Sequence, residues 1–329
     1  RQFEEELLVT DIELEGTIDS ANKIFISADT LSNVKPASIQ SPVDKLDETE
    51  EIFEALVLGT RDYVRKCGFS KVLIALSGGI DSSLVVAIAA QALGPQNVVA
   101  VYMPSKFSSE QSELDAIELS RNLHIEYKTI SIEEPFSVMM DKLSSHFTGT
   151  NWGVAEENLQ SRLRGNLIMA LSNKFDWLVL TTGNKSEMAT GYATIYGDMA
   201  GGFAVLKDVP KILVYKLAKH INKLANKCVI PDSVLTKSPS AELRFEQKDQ
   251  DSLPPYETLD PILKAYVEDD LSYEEIISFG FAEDIVKQTI NLVNKSEYKR
   301  KQAPPGIKIT PRNFGRDRRM PIANRYKSF

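Results

Sequence analysis

The stretch Lys71-Val-Leu-Ile-Ala-Leu-Ser-Gly-Gly-Ile-Asp-Ser-Ser-Leu84 decides the fold. An apolar, strand-forming run turns through two glycines and passes into Leu84-Val-Val-Ala-Ile-Ala-Ala-Gln91, a run of helix formers. The reading is a strand, a tight turn and a helix N-terminus. That arrangement offers unpaired backbone N–H groups and the positive end of a helix dipole to phosphate. Gly78 and Gly79 allow close backbone approach to an anion, and the serine hydroxyls add donors. No Gly-Lys-Ser/Thr follows the glycines, so this is not a Walker loop.

Outward from this stretch the chain alternates. Strand Lys71–Leu76 precedes its helix, strand Val98–Met103 precedes helix Ser109–Asn122, and strand Ile125–Ile130 precedes helix Phe136–His146. Helix Glu156–Lys174 then leads into strand Asp176–Thr181. Such alternation predicts an α/β fold, a parallel sheet with helices on both faces. Ligands on these sheets lie beyond the carboxyl ends of the strands, where Ser77, Met103 and Thr182 fall. Residues 44 to 66 read as an acidic lead-in helix with Ile52, Leu56 and Tyr63 on its apolar face. Before it, Glu6–Leu14 and Lys23–Ser27 are strand-like, too little to form a domain alone.

Composition narrows the class. A hydrophobic content of 43% over 329 residues can fill a large core. No apolar run approaches the roughly 20 residues that span a bilayer, and the acidic start lacks a signal-peptide core. Cys67 and Cys228 are far apart, which suggests neither a disulfide framework nor a zinc site. The expected place of work is the cytoplasm. His124, His146 and His220 fall in expected strands or helices, which argues against a histidine-based hydrolase. The net charge of −8 is uneven: eleven Lys or Arg against two acids follow from residue 295, leaving about −17 on the first 294. The acidic body and the lack of stacking aromatics argue against nucleic acid. The basic tail is expected to fold over an anionic small molecule or a partner subunit.

Two further constellations carry chemistry. Thr181-Thr-Gly-Asn-Lys-Ser-Glu187 follows a strand, and Glu187 with Asp81 matches the one or two carboxylates that magnesium on triphosphate takes. A helix-capping role is the plainer reading of Glu187. In Glu156-Glu-Asn-Leu-Gln-Ser-Arg-Leu-Arg-Gly165, Asn158 and Arg162 share a helix face, whereas Arg162 and Arg164 must diverge.

Ser-Gly-Gly-Ile-Asp-Ser resembles the pyrophosphate loop of the ATP pyrophosphatases, which split ATP between its α and β phosphates. Together with Asn158–Arg164, Thr182–Glu187, Gly191–Asp198 and Ser238–Leu243, it stands in the order found in the NAD synthetases. Tyr298–Gly306 and Pro311–Arg319 look like the carboxyl terminus of the glutamine-dependent class. The resemblance runs over about residues 45 to 325 and implies the adenine nucleotide alpha hydrolase-like fold for residues 41–329. It also implies conversion of deamido-NAD, ATP and ammonia into NAD, AMP and pyrophosphate with Mg2+. Carried over, Ser77, Gly78, Gly79, Ile80, Asp81, Ser82, Ser83, Thr182 and Lys211 would hold ATP. Asn158, Arg162, Glu187, Tyr298 and Lys299 would hold deamido-NAD, Asp81 and Glu187 the metal, and Asp81, Glu187 and Lys211 the chemistry. Ile195 stands where the ammonia-dependent class tends to have lysine and receives no contact, and residues 238 to 255 resemble a loop closing on the substrates.

Residues 1–30 resemble only the last strands of the nitrilase-like glutaminase that precedes the synthetase in the glutamine-dependent class, and 1–40 are expected to be that remnant plus a linker. Cys67 and Cys228 are poor candidates for that domain's nucleophile, so free ammonia is the expected donor for this chain. A homodimer or higher homo-oligomer is expected. Another ATP pyrophosphatase (a GMP synthetase, asparagine synthetase or tRNA-thiolating enzyme) and a non-catalytic nucleotide-binding regulator remain alternatives.

Overall fold

A computed structural model describes residues 2–7, 45–323, 326 and 329. The strand-like runs expected before residue 41 lie almost wholly outside the described residues. The body built by the elements below runs from Glu48 to Phe329.

Five parallel strands, β1 (Val72–Ala75), β2 (Val98–Tyr102), β3 (Glu126–Thr129), β4 (Leu178–Thr181) and β5 (Phe203–Ala204), form one sheet in the order β3-β2-β1-β4-β5. The two faces follow the pleat. Val72, Ile74, Leu76, Val98, Ala100 and Leu180 pack with helices α1 (Glu48–Lys66) and α2 (Ile80–Leu93) on one side. Leu73, Val99, Val101 and Val179 pack against Ile168 of α5 (Val154–Phe175) on the other. Between them on the chain lie α3 (Glu110–Leu123) and α4 (Glu133–Leu143). Helix α2 is apolar nearly all round, because α1, the sheet and α7 (Lys211–Leu224) enclose it. Strand β3, Glu-Tyr-Lys-Thr, sits at an edge and is correspondingly exposed.

The connection from β1 leads to β2 on one side, while β4 returns to the other side of β1. The loops after β1 and β4 therefore open a crevice at the carboxyl edge, the switch point of such sheets.

Four expected strands and their helices are present within a few residues of the expected bounds. Helix α4 starts and ends three residues early, since Glu133 and Glu134 favour an N-terminus and Pro135 is tolerated in a first turn. His146 consequently lies in the turn after α4, and His124 caps α3 with a left-handed φ of 56°; of the three histidines only His220 lies in a helix.

Unanticipated was a helical block with its own core. It comprises α6 (Lys185–Thr190), α9 (Tyr256–Leu263), a π-helical turn at Lys264–Glu268, α10 (Tyr273–Ser278) and α11 (Glu283–Lys295). Between α7 and this block lies α8 (Asp232–Thr236), and α12 (Glu297–Arg300) follows it. The basic tail spends its charge on the chain itself. Lys308 pairs with Asp317, Arg312 with Asp270, and the Arg318 guanidinium stacks 4.3 Å from the Tyr266 ring.

Candidate active site

The loop after β1 is held by its own serines. Ser82 Oγ accepts from the Ser77 N–H (3.2 Å) and donates to the Gly79 carbonyl (3.0 Å). No side chain caps α2, so the N–H groups of its first turn stay open to the crevice. Gly78 has φ +77°, and a Cβ there would stand 2.2 Å from the Ser112 carbonyl oxygen. Only glycine lets this loop lie against the first turn of α3. Ser83, by contrast, donates to the Gly79 carbonyl (2.8 Å) and is buried inside the turn.

Helix α6 follows β4 by way of Asn184, whose side chain accepts from the Glu187 N–H (3.0 Å) while the Glu187 carboxylate accepts from the Asn184 N–H (3.2 Å). Asn184 also donates to Asp81 (2.8 Å), joining the two crevice loops. Glu187 is thus both a cap and a site residue. Lys211 opens α7, a poor place for a cation next to a helix dipole. Its ammonium is compensated by an ion pair with Asp81 and by Glu187 at 3.6 Å. The start of α7 is pinned by Ser186, which accepts from the Lys211 N–H (3.0 Å), and by Asp260, which accepts from the Ile212 N–H (2.9 Å).

These groups face a cavity of about 260 Å³. Its wall includes Ser77, Gly79, Ile80, Asp81, Ser82, Thr182, Glu187 and Lys211. Burial and the negative charge of Asp81 push the Glu187 carboxyl up to about 8 against the pull of Lys211. Burial pulls the Lys211 ammonium down, but Asp81 and Glu187 together hold it above the usual lysine range. Two carboxyl groups therefore converge on one cation.

The remaining candidates gather elsewhere. Asn158 accepts from Thr194 Oγ1 (2.8 Å), Arg162 donates to the Ile195 carbonyl (3.3 Å), and Lys299 donates to the carbonyls of Gly191 and Ala193 (2.7 Å each). All three line the Gly191–Asp198 segment outside the cavity wall, and Tyr298 is 46% exposed. Arg164, the arginine that diverges from Arg162, is the one on the cavity. It donates to the Met103 carbonyl (2.9 Å), and burial draws its guanidinium down to about 10.

Sequence reasoning did not single out Arg164, Tyr192 or Asp249, all on the cavity wall. The segment 238–255 supplies Asp249 and also Glu242. The Glu242 carboxylate accepts from the Ser109 N–H (3.2 Å) and from the Ser109 and Ser112 hydroxyls (2.8 and 2.7 Å) at the N-terminus of α3. Asn184 had a local signal in Asn-Lys-Ser-Glu, the spacing of a capping box.

The sheet order and the phosphate-type loop at the switch point define an α/β protein of the adenine nucleotide alpha hydrolase-like fold. The NAD synthase family model matches residues 52–303, and the chain belongs to that family. It is 49% identical over 340 residues to the glutamine-dependent NAD(+) synthetase of Thermotoga maritima, covering 99% of this chain and 59% of that one. Identity to the Aquifex aeolicus protein of the same name is 55% over 279 residues, covering 85% and 49%. The solved glutamine-dependent NAD+ synthetase of Acinetobacter baumannii in complex with ADP matches with a TM-score of 0.58 at 46% identity. That match covers 86% of this chain and 51% of that one. The chain spans about half the length of these three relatives.

Proposed function

We propose that this chain carries out the ATP-dependent amidation of deamido-NAD to NAD, releasing AMP and pyrophosphate, with ammonia as nitrogen donor. The observation that carries the reading is one cavity on which the open N-terminus of α2 meets the Asp81–Lys211–Glu187 cluster. The ADP in the A. baumannii relative supports an adenine nucleotide here.

In this reading the loop Ser77–Ser83 and Thr182 hold the ATP phosphates through backbone N–H groups and hydroxyls, with Gly78 and Ser83 shaping the loop from behind. The nicotinate carboxylate attacks the α-phosphorus, pyrophosphate departs into the donors of the loop, and ammonia displaces AMP from the acyl adenylate. Charge builds on phosphate oxygens in both steps, so positioning and fixed positive groups do most of the work.

Asp81 and Glu187 are hard oxygen donors already drawn to a single cation, which fits magnesium. No cluster of three or more His, Cys, Asp or Glu suited to a metal occurs among the described residues, so phosphate oxygens and water would complete the shell. Bound there, magnesium would neutralise triphosphate charge. Lys211 keeps the two carboxylates together and presents its charge to the same phosphates. Asn158, Arg162, Tyr298 and Lys299 shape the deamido-NAD site around Gly191–Asp198, three of them by fixing that segment's backbone or its Thr194 hydroxyl.

We further propose that residues 1–40 comprise the end of a nitrilase-like glutaminase domain and a linker, the domain in a longer polypeptide supplying ammonia from glutamine. The working form is a homodimer or larger homo-oligomer acting in the cytoplasm, without nucleic acid. Free Cys67 and Cys228 agree with a reducing compartment, and among the described residues no helix is long and apolar enough to cross a membrane.

The test is NAD formation from deamido-NAD, ATP and magnesium, with ammonium chloride or glutamine in parallel. Product with ammonium alone is expected. Product with glutamine would overturn the reading of the first 40 residues, and ATP binding without product from either donor would point to another substrate. Light scattering reads the assembly, and a monomer at micromolar concentration would contradict it.

A further inference from the structure

Asp249 carries a feature that the loop, the Asp81–Glu187 pair and Lys211 leave unused. It lies on the segment 238–255, is 3% exposed, and forms part of the cavity wall with Glu187, Tyr192 and Lys211. Its Oδ2 accepts from the Tyr256 hydroxyl at 2.7 Å, and its backbone N–H donates to the Pro239 carbonyl at 3.1 Å. Its Oδ1 is buried and makes no hydrogen bond of normal length, although the Tyr192 hydroxyl beside it steadies the charged carboxylate. A buried carboxylate oxygen left unmatched is costly, and natural structures keep few of them without a ligand or a chemical purpose.

The chemistry of the missing partner follows from its surroundings. It must donate an N–H or O–H, because a carboxylate oxygen only accepts. It must tolerate three acidic groups, since Asp81 and Glu187 act on the same Lys211 ammonium that Asp249 senses. On the Asp249 side of the cavity these acidic groups favour a small cationic donor, while the loop after β1 faces the phosphates. The proposed magnesium is already assigned to Asp81 and Glu187, and Asp249 forms no cluster of three with them. The Tyr256 ring lies against the Lys211 ammonium at 5.3 Å, and the Tyr192 ring lies on the cavity wall, a surface suited to ammonium-type cations. Among the reactants of the proposed function, ammonia alone is small, arrives in water as a cation, and consists of N–H donors. The ribose hydroxyls of the nucleotides are the competing donors.

We propose that Asp249 is the residue that receives the ammonia nucleophile, its free Oδ1 accepting an N–H of ammonium and then the proton that must leave before attack. The inference rests on the amidation reading. Ammonium passes one proton to Asp249. The freed nitrogen lone pair forms the C–N bond to the carbonyl carbon of the acyl adenylate, and the C–O bond to phosphate breaks with its electron pair leaving on AMP. Of the three hydrogens on the attacking nitrogen, two remain in the amide and the third goes to the departing phosphate; Asp249 returns its proton to water. The groups facing Asp249 are the Tyr192 and Tyr256 hydroxyls beside it and Lys211, Asp81 and Glu187 across the cavity. Burial raises its carboxyl, chiefly against the pull of Lys211, which makes it a stronger proton acceptor than a solvated aspartate.

The experiment separates the two half-reactions. ATP–pyrophosphate exchange dependent on deamido-NAD reports adenylation without ammonia, and NAD formation from ammonium chloride reports both steps. Asp249→Asn should keep exchange within about twofold while NAD formation falls by about 100-fold or more. Asp249→Glu, which keeps the charge but moves it by one methylene, should raise the KM for ammonium about tenfold with exchange intact. Hydroxylamine, a nucleophile already neutral at pH 7, should lose less than ammonium does in Asp249→Asn. Exchange falling in parallel with NAD formation would assign Asp249 to the nucleotides or to their ribose hydroxyls and overturn the proposal. So would an unchanged ammonium KM in Asp249→Glu, or unfolding of both variants by circular dichroism. Absence of exchange in the unmodified chain would instead sink the amidation reading itself, a failure distinct from the others.

Discussion

Gly78 and Glu187 show how much turns on single residues. At Gly78 a methyl group meets the Ser112 carbonyl at 2.2 Å on a backbone with φ +77°, so Gly78→Ala faces both a clash and conformational strain. The expected loss is about 2 kcal/mol or more of stability, with nucleotide binding lost, read by urea unfolding and ATP titration. Glu187 holds its proton up to about pH 8, whereas its unfolded carboxyl releases it near 4.5. Between those values the folded state binds a proton that the unfolded state has lost, so stability falls as pH rises. Glu187→Gln removes this dependence. Without divalent cation, wild type and variant should be similar at pH 5, and the variant more stable by on the order of 1–3 kcal/mol at pH 8.5. A difference that does not grow with pH in urea titrations would contradict the account. At this scale the sequence was most legible where the backbone itself makes the site, at Ser77–Ser82. It was least legible for Arg164: helical spacing shows that Arg162 and Arg164 diverge, but only the position of β2 determines that Arg164 reaches the Met103 carbonyl.

The elements that matter most are the short ones. Helix α6 has six residues and too few internal hydrogen bonds to stand alone. Asn184 caps it and also binds Asp81, so element and site share one side chain. Asn184→Ala is expected to cost about 1–2 kcal/mol through the cap and to loosen Asp81, lowering activity further than stability alone explains. Asn184→Asp should restore the cap yet place a further negative charge beside Asp81. Recovery of stability with no recovery of activity is therefore the expected pair of results, measured by melting and turnover. The apolar α2 and the β-branched strands were readable because their burial is nearly complete and needs no partner information. Strand β5, with two residues, carries no periodicity at all; it is held by pairing with β4 and by Ala204 donating to the Pro305 carbonyl, a hundred residues away.

Over the whole molecule, one buried ion network joins sheet, helical block and tail. Lys185, 3% exposed, contacts Asp208 at 2.9 Å, Glu268 at 2.7 Å and Thr310 Oγ1 at 2.6 Å. Removing the cation leaves two carboxylates buried without their countercharge. Lys185→Met should cost about 3–5 kcal/mol and release the tail, seen as faster proteolysis after residue 300. An unchanged unfolding midpoint would show that the network is dispensable. The uneven charge of the sequence is resolved here as well: the basic tail neutralises acidic groups of its own body, including Asp270, through contacts that no local pattern announces.

The sequence by itself determined the strand-loop-helix that addresses phosphate, the alternation that makes a parallel sheet, and the family to which the chain belongs. These depend on local backbone chemistry, on burial periodicity and on ordered motifs. Tertiary structure alone decided the sheet order, the helical block, the inward turn of Arg164, and the meeting of Asp81, Glu187, Lys211 and Asp249 around one cavity. The reason is physical. A buried charge is stable only among partners, and those partners come from segments that folding brings together across distances in the chain at which sequence patterns carry no signal.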